Sequence, residues 1–263
     1  MKSLSTEQKI YYTLRIAAAM CFIGHGAFGI ITKSIWCNYF AVFGIGTDMA
    51  YQLMPALGVA DIILGLILLV YPLPAVALWL VIWSFVTASL RPLSGELIAE
   101  LFERAGNFGA PLALLLLCDN GKSLRSWFQK MNIPSSLPDK RLKKIQVTLR
   151  IGAFLLLASH SWLNLTGKKG LLGQYNALGF HDAHQVAFIA GLFELAAALL
   201  ILVRPSRPLI LLLVVWKMST ELFYPHYELF EWVERGGSYG VLLSLWFSML
   251  PANFHRKLIP HLQ

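Results

Sequence analysis

Two stretches of this chain carry one pattern. Residues 15–33 read RIAAAMCFIGHGAFGIITK and residues 150–168 read RIGAFLLLASHSWLNLTGK, so Arg15, His25 and Lys33 align with Arg150, His160 and Lys168. The doubling continues downstream. AYQLMPALGVADIILGLILL (50–69) aligns with AHQVAFIAGLFELAAALLIL (183–202), which pairs Gly58 with Gly191 and Asp61 with Glu194. Pro72 then matches Pro205, Trp83 matches Trp216, Glu100 matches Glu231, and ERAGNFG (103–109) matches ERGGSYG (234–240). A repeat of this length means that one structural unit occurs twice.

The medium for that unit follows from composition. The 263 residues are 57% hydrophobic and 14% charged, with a mean hydropathy of +0.61. Soluble domains have about 45–50% apolar and about 25% charged residues. Eight apolar segments stand between short charged ones, at about 10–31, 50–71, 73–90, 105–118, 146–165, 182–203, 205–223 and 237–250. The expected fold is therefore an all-α integral membrane protein with eight transmembrane helices, arranged as two tandem parallel four-helix bundles. The fourth and eighth segments are short for a bilayer of about 30 Å, so each is expected to begin earlier, in the acidic stretch before it.

The expected organisation is a first repeat over 1–118, a basic connector over 119–145 containing Pro134 and Pro138, and a second repeat over 146–263. The N-terminal apolar run superficially suggests a signal peptide, but it contains Arg15 and has an internal counterpart, so it reads as a retained helix. The net charge is +8. Lys2, Lys9, the connector cluster (Lys122, Arg125, Lys130, Lys140, Arg141, Lys143, Lys144), Arg204, Arg207, Arg256 and Lys257 fall on the side shared by the termini, and Glu96, Glu100, Glu103, Asp182, Glu228, Glu231 and Glu234 on the other. The positive-inside rule then makes both termini cytoplasmic, in a bacterial inner membrane. Such charge is topology signalling, and no nucleic-acid partner is expected. The partners expected are the lipid bilayer and a protein of a larger membrane complex. Cys21, Cys37 and Cys118 form no metal or redox spacing.

Within each repeat, arginine, histidine and lysine span about 27 Å at about 1.5 Å per residue. Arg and Lys are expected to snorkel to opposite interfaces, leaving the histidine near mid-membrane. There it either makes an interhelical hydrogen bond or serves function. Asp61 and Glu194 lie mid-helix in the next segment, and a buried carboxylate needs a partner, for which the histidine or arginine of the first helix is the natural choice. The second repeat is the more polar: Lys217 and Glu221 replace Ser84 and Ala88, at a spacing that allows an internal ion pair. His160, Glu194, Lys217 and Glu221 are the candidate catalytic set, with His25, Asp61, His184 and Arg235 as candidate cofactor-binding residues. A metal or haem held by His160, His181, His184 and His226 is the alternative. Arg104 and Arg235 stand at the start of the fourth and eighth helices, either to bind an anion or a quinone carbonyl or to pair with Glu100 and Glu231. The first repeat, lacking most of these groups, reads as a scaffold copy.

The arginine, His25-Gly26 and Lys33 pattern, followed by Gly58 and Asp61, resembles the DoxX-like membrane proteins. That resemblance implies compact four-helix units, some of them membrane subunits of thiosulfate:quinone oxidoreductase, others associated with redox or detoxification complexes. This chain departs from the pattern in carrying two units and in having Ser161 after the second histidine. The function expected is a redox-linked subunit that holds a quinone-like or other small hydrophobic ligand in the second bundle and supports electron or proton transfer with a partner. An assembly subunit without chemistry and a small-molecule transporter are the alternatives.

Overall fold

The computed structural model describes residues 4–118, 123–133, 137–222 and 229–249. Lys2, Lys122, Pro134, His226, Glu228, Arg256 and Lys257, named above, lie outside them. All regular structure among the described residues is helical. The first repeat gives α1 (Thr6–Ile30), α2 (Trp36–Ala41), α3 (Thr47–Val70), α4 (Pro74–Leu93), α5 (Ala99–Phe102) and α6 (Ala105–Leu117). The connector holds α7 (Leu124–Trp127), and the second repeat gives α8 (Asp139–Leu165), α9 (Lys169–Ala177), α10 (Ala183–Val203), α11 (Arg207–Leu222), α12 (Leu229–Glu234) and α13 (Gly236–Ser248).

Local chemistry sets the boundaries. Ser5 and Gln8 close a capping box at the start of α1. Pro74 occupies the first turn of α4, where its missing N–H costs nothing. The Asp182 carboxylate accepts from the Gln185 N–H to start α10. Helix α8 begins at Asp139, just after Pro138, and so extends into the expected connector. The connector is also not wholly a solvated linker: Met131 is buried, and its N–H donates to the Pro72 carbonyl.

Four helices, α1, α3, α4 and α10, are long and apolar enough to cross a membrane. The outer helices present apolar side chains outwards, including Val59, Ile63 and Leu66 of α3, Ile82 and Phe85 of α4, and Phe188, Ile189 and Leu192 of α10. A soluble protein would not leave such a surface open, whereas lipid solvates it. The remaining expected segments are helical but fall short of that criterion. The 13 residues of α6 reach about 20 Å at 1.5 Å per residue. The fourth and eighth segments do begin earlier, as α5 and α12, but the helix is broken at Glu103-Arg104 and again at Arg235.

The helices pack both within each repeat and between the repeats. In each repeat the first helix lies along the second long one, α1 on α3 and α8 on α10. But α1 also packs against α12 and α13, and α8 against α5 and α6. The centre is thus made of α1, α6, α8 and α13, with two helices from each repeat, and its core joins Leu14 and Phe22 to Leu114, Leu149, Leu157, Val241 and Leu245. Gly106 lies against Gly237, its own counterpart: a Cβ added to Gly237 would stand 2.6 Å from the Gly106 carbonyl oxygen. Counterpart residues of the two repeats are thus in direct contact.

Arg15 and Arg150 fix the pairing of the long helices. Arg15 Nε donates to the Leu68 carbonyl at 2.9 Å and its guanidinium also meets the Leu69 carbonyl. Arg150 does the same with the carbonyls of Ile201 (3.2 Å) and Leu202. These are last-turn carbonyls of α3 and α10, which have no partner within their helix, and a cation also suits the negative end of the helix dipole. Arg15→Met is expected to lower stability by about 1–3 kcal/mol, the cost of stranded buried carbonyls, read as a loss of resistance to denaturing detergent. No change would return Arg15 to a surface role.

Candidate functional site

Both mid-helix histidines meet their carboxylates. His25 Nδ1 lies 2.7 Å from Asp61 Oδ2, and His160 Nδ1 lies 2.6 Å from Glu194 Oε2. A carboxylate accepts, so Nδ1 carries the proton in each and Nε2 is the free position. The surroundings then diverge. Asn164 Nδ2 donates to Glu194 Oε2 at 3.2 Å, and Trp216 Nε1 donates to Oε1 at 3.1 Å. The Tyr175 hydroxyl donates to Asn164 Oδ1 at 2.8 Å. Three side chains therefore satisfy Glu194, which is 1% exposed. Asn164 was passed over in the sequence, although it stands one helical turn from His160, on the same face.

The departure at Ser161 has a structural use. Where Gly26 lets the backbone of α1 approach Gly58, Ser161 donates its hydroxyl to the Gly191 carbonyl at 2.6 Å. Close approach in one repeat is replaced by a hydrogen bond in the other, and both are ways of joining helices in lipid.

Each histidine borders a cavity, and the two cavities use matching positions. The first, of about 260 Å³, is lined by His25, Phe40, Phe43, Trp83 and Thr87, among others. The second, of about 370 Å³, is lined by His160, Tyr175, Leu178, Trp216 and Thr220. Short helices α2 and α9 supply one wall of each. Reading the first repeat as bare scaffold misses this cavity. Its polar wall comes partly from the other repeat: Glu234 borders the first cavity beside Arg104 and Asn107 of the first repeat, whereas the second cavity has its own Glu221.

Between the cavities runs a band of buried charge. Lys217 Nζ is 3.2 Å from Glu221 Oε1, and Glu221 Oε2 is 3.9 Å from Arg235 Nε. Arg235 also pairs with Glu103, which holds Arg104 at 2.6 Å. Glu100 lies 3.4 Å from Arg104 and pairs with Lys168, while Lys33 reaches Glu231 at 2.6 Å. The lysines thus exchange partners: each binds the glutamate of the opposite repeat. At the rim of the first cavity, burial alone would raise the Glu96 carboxyl. The Tyr39 hydroxyl and the Arg91 guanidinium together hold it below the usual range.

The candidate set is therefore only partly gathered. His160, Glu194, Lys217 and Glu221 are all buried within the second repeat, and His25 pairs with Asp61 in the first. Arg235 belongs to the central band. His184 does not join them: it is exposed and lies near Gly167, at the turn after α8. His181 is exposed as well, and His226 is outside the described residues. Among the described residues no three His, Cys, Asp or Glu side chains gather as metal ligands, so the His160–His181–His184 convergence fails. The cause is position: His181 and His184 flank the exposed start of α10, and His160 faces the buried middle of that helix.

No family model, curated protein or solved structure matches this chain.

Proposed function

We propose that this is a redox-associated membrane subunit that holds a quinone-like or other small hydrophobic ring compound in the second cavity. The observation that carries this reading is the set His160–Glu194–Asn164–Trp216 beside an apolar cavity of about 370 Å³. In it Glu194 fixes the ring of His160 through Nδ1, so Nε2 is presented as a proton acceptor. Trp216 and Asn164 keep Glu194 in place as the histidine gains or loses charge. A quinone would supply a two-electron, two-proton couple, and a protein partner would supply or take the electrons. Glu221 borders the cavity and Lys217 lies behind it, which gives a second protonatable group with a fixed neighbour.

The proposed setting is a bacterial inner membrane with both termini cytoplasmic. The chain would span it eight times as two parallel repeats of DoxX-like type. Interrupted helices α5–α6 and α12–α13 fit this setting, because their breaks lie inside protein rather than against lipid.

The test is titration of the nanodisc-embedded protein with decyl-ubiquinone, read by tryptophan quenching against empty discs. His160→Ala and Glu194→Gln are each expected to weaken binding about tenfold, the cost of one lost buried hydrogen-bonding group. His25→Ala should change it less. Equal binding by wild type and both second-repeat variants would sink the ligand reading and leave an assembly role.

A further inference from the structure

The first cavity has its own chemistry. Most of its polar walls are already engaged. His25 holds Asp61, the Tyr39 hydroxyl donates to Glu96 at 2.7 Å, and Arg91 lies 3.1 Å from Glu96. Arg104 is held by Glu100 and Glu103. Ser84 and Thr87 donate to carbonyls of their own helix. Two buried atoms remain without a hydrogen-bond partner: Trp83 Nε1, a donor, and Asn107 Oδ1, an acceptor. Both residues line this cavity, and Asn107 is only 6% exposed.

The loose donor has a specific origin. In the second repeat Trp216 Nε1 reaches Glu194 Oε1 at 3.1 Å, while Oε2 of the same carboxylate holds His160. Asp61 is one methylene shorter than Glu194 and is engaged with His25, and Trp83 finds no such acceptor. Unpartnered buried polar atoms are rare in native structures and each calls for an explanation. The rest of the wall is aromatic: Trp36 lies against His25 with ring centroids 4.5 Å apart, and Tyr39, Phe40 and Phe43 complete it.

The geometry points to the first cavity as a second ligand site, distinct from the one proposed above, for an uncharged aromatic ring compound bearing a hydroxyl, of the phenol or quinol class. The hydroxyl oxygen accepts from Trp83 Nε1 and its O–H donates a hydrogen bond to Asn107 Oδ1. The ring takes the place of solvent among Trp36, Phe40 and Phe43. A carboxylate or phosphate has no vacant cation to meet, because both arginines on the wall are already paired with glutamates, and it would stand beside the Glu234 carboxylate that also lines the cavity.

The test uses 1-naphthol, with 1-methoxynaphthalene and 1-naphthoate as comparisons, in nanodiscs with empty discs as blank. Wild type should bind 1-naphthol saturably and more tightly than either analogue. Trp83→Phe and Asn107→Leu should each weaken 1-naphthol about tenfold, and Asn107→Leu should leave 1-methoxynaphthalene, which cannot donate, unchanged. Ala88→Trp, which fills this cavity, should abolish the site; Ala190→Phe, which fills the second, should leave it intact while blocking decyl-ubiquinone. Tighter binding of 1-naphthoate, or 1-naphthol affinity unchanged in both Trp83→Phe and Asn107→Leu, overturns the proposal. Those two substitutions keep it testable if Ala88→Trp does not yield monodisperse protein.

Discussion

Replacing Glu103 by alanine is expected to lower stability by about 3–5 kcal/mol, the range for removing one partner of a buried ion pair. Glu103 is 3% exposed and serves two guanidiniums at once, Arg104 at 2.6 Å and Arg235 from the opposite repeat. Without it both cations keep their position and lose their nearest anion, and the low-dielectric interior cannot screen them. The measurement is the midpoint of unfolding in mixed micelles of rising denaturant fraction. A second variant separates charge from packing. Glu103→Ala combined with Arg235→Met removes one cation together with the anion, and should recover a large part of the loss. Equal losses in the single and double variants would mean that the pair matters for its shape alone.

Gly106→Leu is expected to be as damaging, for a steric reason. A Cβ there would lie 2.5 Å from Ser238 N and 2.7 Å from the Gly237 carbonyl carbon. Those atoms are backbone, so no rotamer change makes room, and α6 and α13 must move apart. The expected loss exceeds the about 1–3 kcal/mol usual for overpacking. Gly237→Leu should match it, since its Cβ would meet the Gly106 carbonyl oxygen at 2.6 Å. Gly173→Ala in α9, where a Cβ meets nothing within 4 Å, is the control and should be neutral. Yield of monodisperse protein and resistance to limited proteolysis would report all three. Tolerance of Gly106→Leu would mean that the two repeats do not meet at this crossing.

Helices and their internal pairings were legible from the repeat, because an aligned Arg–His–Lys helix and an aligned acid imply the same contact twice. That is why the two His–carboxylate pairs could be anticipated from mid-helix position alone. The docking between repeats was not legible. Nothing in the spacing of Lys33 says that its glutamate is Glu231 rather than Glu100, since both glutamates have the same local context. The role of Arg15 was missed for a related reason. An arginine far along the helix from a mid-membrane histidine reads as an interface anchor, and the last-turn carbonyls that it binds, on Leu68 and Leu69, belong to the backbone and leave no mark in side-chain identity. His184 misled because it replaces Tyr51 at an aligned position, and alignment carries no information about which way a helix start faces.

The exchange of partners between repeats has a consequence for biosynthesis. Helix α1 leaves the ribosome long before its neighbours α12 and α13 are made. In the interval Glu231 and Arg235, which Lys33 and Glu103 meet in the folded chain, have yet to be made. The first repeat therefore enters the bilayer as an open half-molecule, and its flank closes only once α12 and α13 have followed. A chain truncated after the connector should persist only when the second repeat is supplied beside it.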